Sequence, residues 1–104
     1  MRGDLHALRA PRDSRGHEQG GQRFAVVIQS DDLPLSTLIV APTSTSARPT
    51  SFRPEIEIDG RATRVLLEQA TAVAPTRLGA WRGRLSHAEL QTLDAALRLV
   101  LALD

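Results

Sequence analysis

The sequence predicts an antiparallel β-sheet followed by one C-terminal helix, an all-β barrel or an α+β domain. Three observations carry this. Short β-rich apolar runs recur up to Leu85, separated by polar breaks that hold most of the glycines and prolines. Asp59-Gly60 stands between two such runs as a hairpin signal, because glycine accepts the positive φ of a type I′ turn. After Ser86 the apolar period changes from two to three and four. Strands first and a helix last is the order of such a fold.

Taken in order, GDLHAL (Gly3–Leu8) alternates weakly and is a first strand, opened by Arg2-Gly3-Asp4 in a structural role. Residues 9–22 are polar, contain Pro11, Gly16, Gly20 and Gly21, and form a loop long for so small a chain. Loops of about 12–15 residues without structure of their own are usually functional or disordered. RFAVVIQS (Arg23–Ser30) reads as a central strand, DDLPLS as a turn broken at Pro34, and TLIVAP (Thr37–Pro42) as the next strand. Thr43–Ser51 is a second polar loop. Phe52–Ile58 alternates acidic and apolar residues as a half-exposed strand does, and Thr63–Val73 returns from the Asp59-Gly60 turn. Pro75–Gly79 is a turn or one helical turn, and Ala80–Leu85 alternates again around the single tryptophan, Trp81, expected in core or interface packing. Ser86 and Glu89 form a capping box, with Leu90, Leu93, Leu97, Val100 and Leu101 on one helical face against the sheet.

Length and composition bound the function. One hundred and four residues suit a single domain over 1–104. The 41% hydrophobic content argues against wholesale disorder. The absence of cysteine excludes a disulfide framework, a thiolate zinc site and a cysteine nucleophile. It fits a reducing compartment, so a cytoplasmic location is the expectation. No apolar run approaches the roughly 20 residues of a membrane span, and the charged N-terminus is unlike a signal peptide. His6, His17 and His87 lack metal spacing, so neither metal nor cofactor is expected. All 13 basic residues are arginine, against 12 acidic. GC-rich coding explains that bias without function, whereas guanidinium forks also suit phosphate. A net charge of +1 argues against a purely electrostatic nucleic-acid coat and leaves room for a local basic cleft.

The two polar loops are the natural site on such a scaffold. One ends where a strand begins, at Arg23, and the other begins where the neighbouring strand ends, at Thr43. Antiparallel neighbours place those ends together, so a guanidinium faces the hydroxyls of Thr43, Ser44 and Thr45. Arg23 can bind phosphate bidentately. Glu68 and Gln69, from another strand, can orient either group. Against this stand plain readings: Arg23 as a solvated charge, the Thr43–Ser46 run capping its own backbone, and Glu68 paired with a nearby arginine.

The string GHEQGGQRFAVVIQSD (Gly16–Asp31) resembles the MazF/PemK toxins of bacterial toxin–antitoxin pairs. Arg2-Gly3-Asp4-Leu5 matches the family's opening, and its glycine-rich loop keeps Gly16, Glu18, Gln19, Gly21 and Arg23. Val40-Ala41-Pro42-Thr43-Ser44 follows the next family motif, and Leu66-Leu67-Glu68-Gln69 a third. Phe24 stands where the family has proline. The likeness covers essentially the whole chain.

What the resemblance implies is an SH3-like small barrel (MazF/CcdB-like) with a C-terminal amphipathic helix, forming a homodimer. It implies a growth-inhibiting, metal-independent endoribonuclease that cuts single-stranded RNA at short sequences. The C-terminal segment of a cognate, MazE-like antitoxin is the expected protein partner, and no membrane is involved. The family's catalytic arginine falls on Arg23 and its catalytic threonine on Ser44, with Thr43 and Thr45 as alternatives. Glu18, Gln19, Gly20, Gly21, Glu68 and Gln69 are expected to bind RNA or support the site. The 2′-hydroxyl of RNA can attack its own phosphate given a base, an acid and positive charge on the phosphorane. Arginine is a poor base, so Arg23 is read as stabiliser or acid and His17 as a candidate base. Two other readings compete. One is a catalytically weak relative that mainly engages an antitoxin; the other is a CcdB-like gyrase poison, against which the Leu-Ala-Leu-Asp ending counts.

Overall fold

The computed structural model describes residues 1–9 and 23–103. Among them, seven strands make one curled antiparallel sheet. They are β1 (Asp4–Leu8), β2 (Phe24–Val27), β3 (Leu38–Ser44), β4 (Glu55–Ile58), β5 (Arg61–Val65), β6 (Thr71–Val73) and β7 (Leu78–Arg84). Helix α1 (His87–Leu101) follows. The strand order is β4-β5-β3-β2-β1-β7, with β6 also paired to β3. This is the small barrel with a terminal helix that the sequence predicts. No helix among the described residues is long and apolar enough to cross a membrane.

The Asp59-Gly60 turn forms as expected. Both residues have positive φ, 52° and 79°, and Ile58 pairs with Arg61 across it. Asp59 also pairs with Arg82 of β7, whose guanidinium lies 5.5 Å from the centre of the Phe24 ring. The β4–β5 hairpin and β7 are opposite ends of the strand order, so Arg82 draws the curl closed. Phe24 is the ring that receives it.

The expected strand Thr63–Val73 is broken. Val65 pairs with Thr43, and Thr71 pairs with Val40. Residues 66–70 therefore lie opposite only 41–42, and the surplus is taken up by a 3₁₀ turn, Leu67–Gln69, with Leu67 buried in the core. Strand β2 is shorter than Arg23–Ser30. At its end the Ile28 and Gln29 amides both donate to the Ile39 carbonyl, and the buried Gln29 side chain accepts from the Ile39 amide. Strand β3 runs further than Pro42, so Thr43 and Ser44 are strand residues rather than the start of a loop. Of Phe52–Ile58, only Glu55–Ile58 is strand.

One sheet face carries Leu5, Val26, Ala41 and Val65, and α1 covers it with Leu93 and Ala96. The capping box is present: the Glu89 amide donates to Ser86 Oγ (3.1 Å), and the Ser86 amide donates to Glu89 Oε1 (2.8 Å). Leu101 leaves the predicted stripe at 58% exposure. At 100° per residue it lies about 80° round from Leu93, past the arc spanned by Ala96 and Leu90. The opposite face holds a smaller cluster of Ala25, Val27, Val40 and Val73. Trp81 is not in the core. It is paired with His6 on the edge strand β7 and is 61% exposed.

Candidate functional site

Strands β2 and β3 pair Ala25 with Pro42 and Val26 with Ala41. Continued by one and two residues, that register sets Phe24 opposite Thr43 and Arg23 opposite Ser44. One bond across the two strands supports its first step, Thr43 Oγ1 donating to the Phe24 carbonyl (3.2 Å), while Arg23 is tied to β1 on its other side, its carbonyl accepting from the Leu8 amide (2.9 Å). Arg23 and the hydroxyl run thus lie at the same end of the β2–β3 pair.

Alternation separates the three hydroxyls. Successive side chains on a strand point to opposite faces, and directly opposed residues share one. Thr43 belongs with Phe24 and Val65 on the core face, is 7% exposed, and spends its hydroxyl on backbone. Ser44 falls on the other face, in register with Arg64 of β5, and is half-buried. Its Oγ accepts from the Ser46 amide (3.2 Å) and lies 3.2 Å from Ser46 Oγ. Thr45 is exposed just past the end of β3. Arg23 is exposed as well.

The row continues beyond Ser44. Ser44 pairs with Arg64 of β5, and Arg64 pairs with Glu55 of β4. Arg64 donates through Nη1 to the Arg53 carbonyl (2.9 Å) and through Nη2 to Glu55 Oε1 (3.3 Å). The Arg53 side chain donates through Nε (3.0 Å) and Nη2 (2.6 Å) to one oxygen of Glu68, and its guanidinium lies 5.5 Å from the centre of the Phe52 ring. Those donors hold the Glu68 carboxyl below its usual range.

Glu68 and Gln69 thus sit on the 3₁₀ turn instead of a strand, and Glu68 orients Arg53 rather than Arg23 or a hydroxyl. His17, Glu18, Gln19, Gly20 and Gly21 lie outside the described residues. Sequence reasoning passed over Arg53 and Arg64. The signal for Arg64 was present: a two-residue turn at Asp59-Gly60 fixes Ile58 opposite Arg61, and counting outward puts Arg64 opposite Glu55.

Comparison with known proteins agrees with this fold. Residues 1–101 match the family described as the PemK-like, MazF-like toxin of type II toxin–antitoxin systems. The toxin candidate Rv3098A of Mycobacterium tuberculosis is 45% identical over 73 residues, 70% of this chain and 69% of that protein. Among solved structures, the fold is similar to M. tuberculosis toxin MazF-mt6 (TM-score 0.78, 16% identity, 97% of this chain and 98% of that one). It is also similar to a mycobacterial endoribonuclease solved with its cognate antitoxin (TM-score 0.79, 14% identity, 100% and 96%). MazF of Deinococcus radiodurans superposes with a TM-score of 0.73 at 21% identity, over 97% and 94% of the two chains. By a family match that spans nearly its whole length and a close relative over two thirds of it, the chain belongs to the PemK-like, MazF-like toxins of type II toxin–antitoxin systems.

Proposed function

We propose that this toxin is a metal-independent endoribonuclease, acting as one domain and as a homodimer, that cuts single-stranded RNA at the Arg23–Ser44 end of β2 and β3. The observation that supports the reading is the β2–β3 register, which, continued two residues past Ala25–Pro42, brings Arg23 opposite Ser44. In the reaction the 2′-oxygen forms a bond to phosphorus and the P–O5′ bond breaks. The products are a 2′,3′-cyclic phosphate and a 5′-hydroxyl. Arg23 neutralises the phosphorane oxygens and can supply the proton to O5′. Ser44 hydrogen-bonds the same phosphate. The proton of the 2′-hydroxyl goes to a base, for which His17 is the candidate. Glu68 is a poor one, because Arg53 stabilises its ionised form. DNA lacks the 2′-hydroxyl and is spared.

The partner class follows from the family: the C-terminal segment of a MazE-like antitoxin. A solved relative is an endoribonuclease bound to its cognate antitoxin. Exposed Trp81, Leu99, Leu101 and Leu103 offer apolar surface for a second copy or for that segment to cover. Expression in a bacterium tests the reading. Growth should stop and total RNA should fragment with the wild-type chain, while Arg23→Ala and Ser44→Ala leave both unaffected. Growth arrest with intact RNA contradicts it.

A further inference from the structure

We propose that Arg64 is a second phosphate-binding cation of this site, so that the RNA backbone is held between two arginines with Ser44 in the middle. The inference rests on the endoribonuclease reading and extends it to a residue that the family motifs do not mark.

Ser44 has Arg64 as its direct partner on β5, and the β2–β3 register, continued two residues past the Ala25–Pro42 pair, brings Arg23 opposite Ser44. Directly opposed residues share a sheet face, and adjacent strands are about 4.8 Å apart. A phosphate seated on the Ser44 hydroxyl is therefore one strand away from the backbone of either arginine. Two guanidinium groups flanking one hydroxyl concentrate positive charge on this row, although the whole chain carries only +1.

Arg64 is also held ready. The Arg53 carbonyl takes Nη1 at 2.9 Å. Arg53 is itself fixed by Glu68 and by the Phe52 ring. This series explains why Glu68 faces Arg53: it steadies the backbone on which Arg64 rests. The only carboxylate paired with Arg64 among the described residues is Glu55, at 3.3 Å and with its side chain 58% exposed. Such an exposed pair is weak and exchanges readily for a phosphate. A guanidinium has five donors, and these contacts engage two of them. Serving only as a strut between β4 and β5 would need no more than the Arg53 carbonyl and Glu55. Placement beside Ser44 is what that role leaves unexplained.

The test uses the full chain on a single-stranded RNA whose cleavage position has been mapped with the wild-type protein. Arg64→Gln, Arg64→Lys and Glu55→Gln are compared with Arg23→Ala. Binding is measured on the same oligonucleotide with a 2′-deoxy nucleotide at the cut, across a salt series. Arg64→Gln should lower kcat/KM about 10- to 100-fold, the loss of one or two charge-assisted hydrogen bonds. It should also reduce the slope of log K against log salt by about 0.7, one phosphate contact on a single strand. Arg64→Lys should keep the salt slope and recover part of the rate. Glu55→Gln should tighten binding at low salt, the opposite direction, because it frees the guanidinium. Melting temperatures identify any variant that fails to fold; Arg64→Lys and Glu55→Gln then carry the test. Arg64→Gln within twofold of wild type with an unchanged slope overturns the proposal, as does Glu55→Gln weakening binding in step with Arg64→Gln. Wild-type protein that leaves RNA intact overturns the endoribonuclease reading and this proposal together. An active wild type, inactive Arg23→Ala and normal Arg64→Gln overturn this proposal alone.

Discussion

Glu89 ties the helix to the free edge of the sheet, and its removal should cost more than loss of the helix cap. One carboxylate oxygen accepts from the Ser86 amide at 2.8 Å, the other from the Glu57 amide on β4 at 2.9 Å. Ser86 contributes the third bond, through its hydroxyl to the Glu89 amide. Ser86→Ala removes that one bond, a cap worth about 1 kcal/mol. Glu89→Ala removes two bonds to an ionised acceptor and leaves the edge amide of Glu57 to water. At about 1–1.5 kcal/mol each for exposed sites, the loss is about 2–3 kcal/mol. For a chain of this length about 1 kcal/mol shifts Tm by some 4–5 °C. The expected falls are therefore about 5 °C for Ser86→Ala and about 10 °C or more for Glu89→Ala. Thermal unfolding followed by circular dichroism reads both, at one fixed protein concentration because association shifts Tm. Amide exchange at Glu57 should quicken in Glu89→Ala and not in Ser86→Ala. Equal Tm falls in the two variants, with Glu57 exchange unchanged, would refute the reasoning that one carboxylate joins helix and sheet.

Other outcomes follow from the same structure. Leu93→Ala, at a side chain with no exposed surface between helix and sheet, should cost about 3–5 kcal/mol in chemical denaturation; a loss below about 1 kcal/mol would mean α1 is not docked as described. Gly60 has φ 79° and open space where a Cβ would stand, so Gly60→Ala should cost about 1–2 kcal/mol from backbone strain alone, and a neutral result would count against the type I′ turn. The Glu68 carboxyl is held below its ordinary value of 4.5 by Arg53. Its contribution to stability is complete above that value and is lost as pH falls through the lowered one. Wild type should therefore lose stability below about pH 4.5 more steeply than Glu68→Gln. Parallel acid curves for the two proteins would show that the pair contributes nothing.

Much of the fold was legible because the signals were local. Asp59-Gly60 names its own turn, and Ser86 with Glu89 names the helix start. Each needs only neighbours in sequence. The break at Leu66–Ala70 was not legible, because Leu-Leu-Glu-Gln suits a strand and the surplus arises only when β5 and β6 share β3. Leu101 looked like core because a leucine at the right spacing cannot reveal where the sheet ends. At the site, the placing of Arg23 and the hydroxyl run at one end of a strand pair could be drawn from a simple meander. Which hydroxyl faces the arginine could not, since that depends on register, and a shift of one residue exchanges Thr43 for Ser44. Arg64 was within reach by counting outward from the Asp59-Gly60 turn, whereas Arg53, one of 13 arginines, lies before β4 and is marked only by its contacts to Glu68 and Arg64.

We propose that Arg23 and Ser44 make a metal-independent RNA-cutting centre. The direct measurement is a gel assay of purified protein on a long single-stranded RNA in excess EDTA, with Arg23→Ala and Ser44→Ala beside it. Defined fragments ending in a cyclic phosphate are expected from the wild type, with intact RNA from both variants and no cleavage of the equivalent DNA. Intact RNA from a folded wild-type protein, or equal cutting by Arg23→Ala, would contradict it.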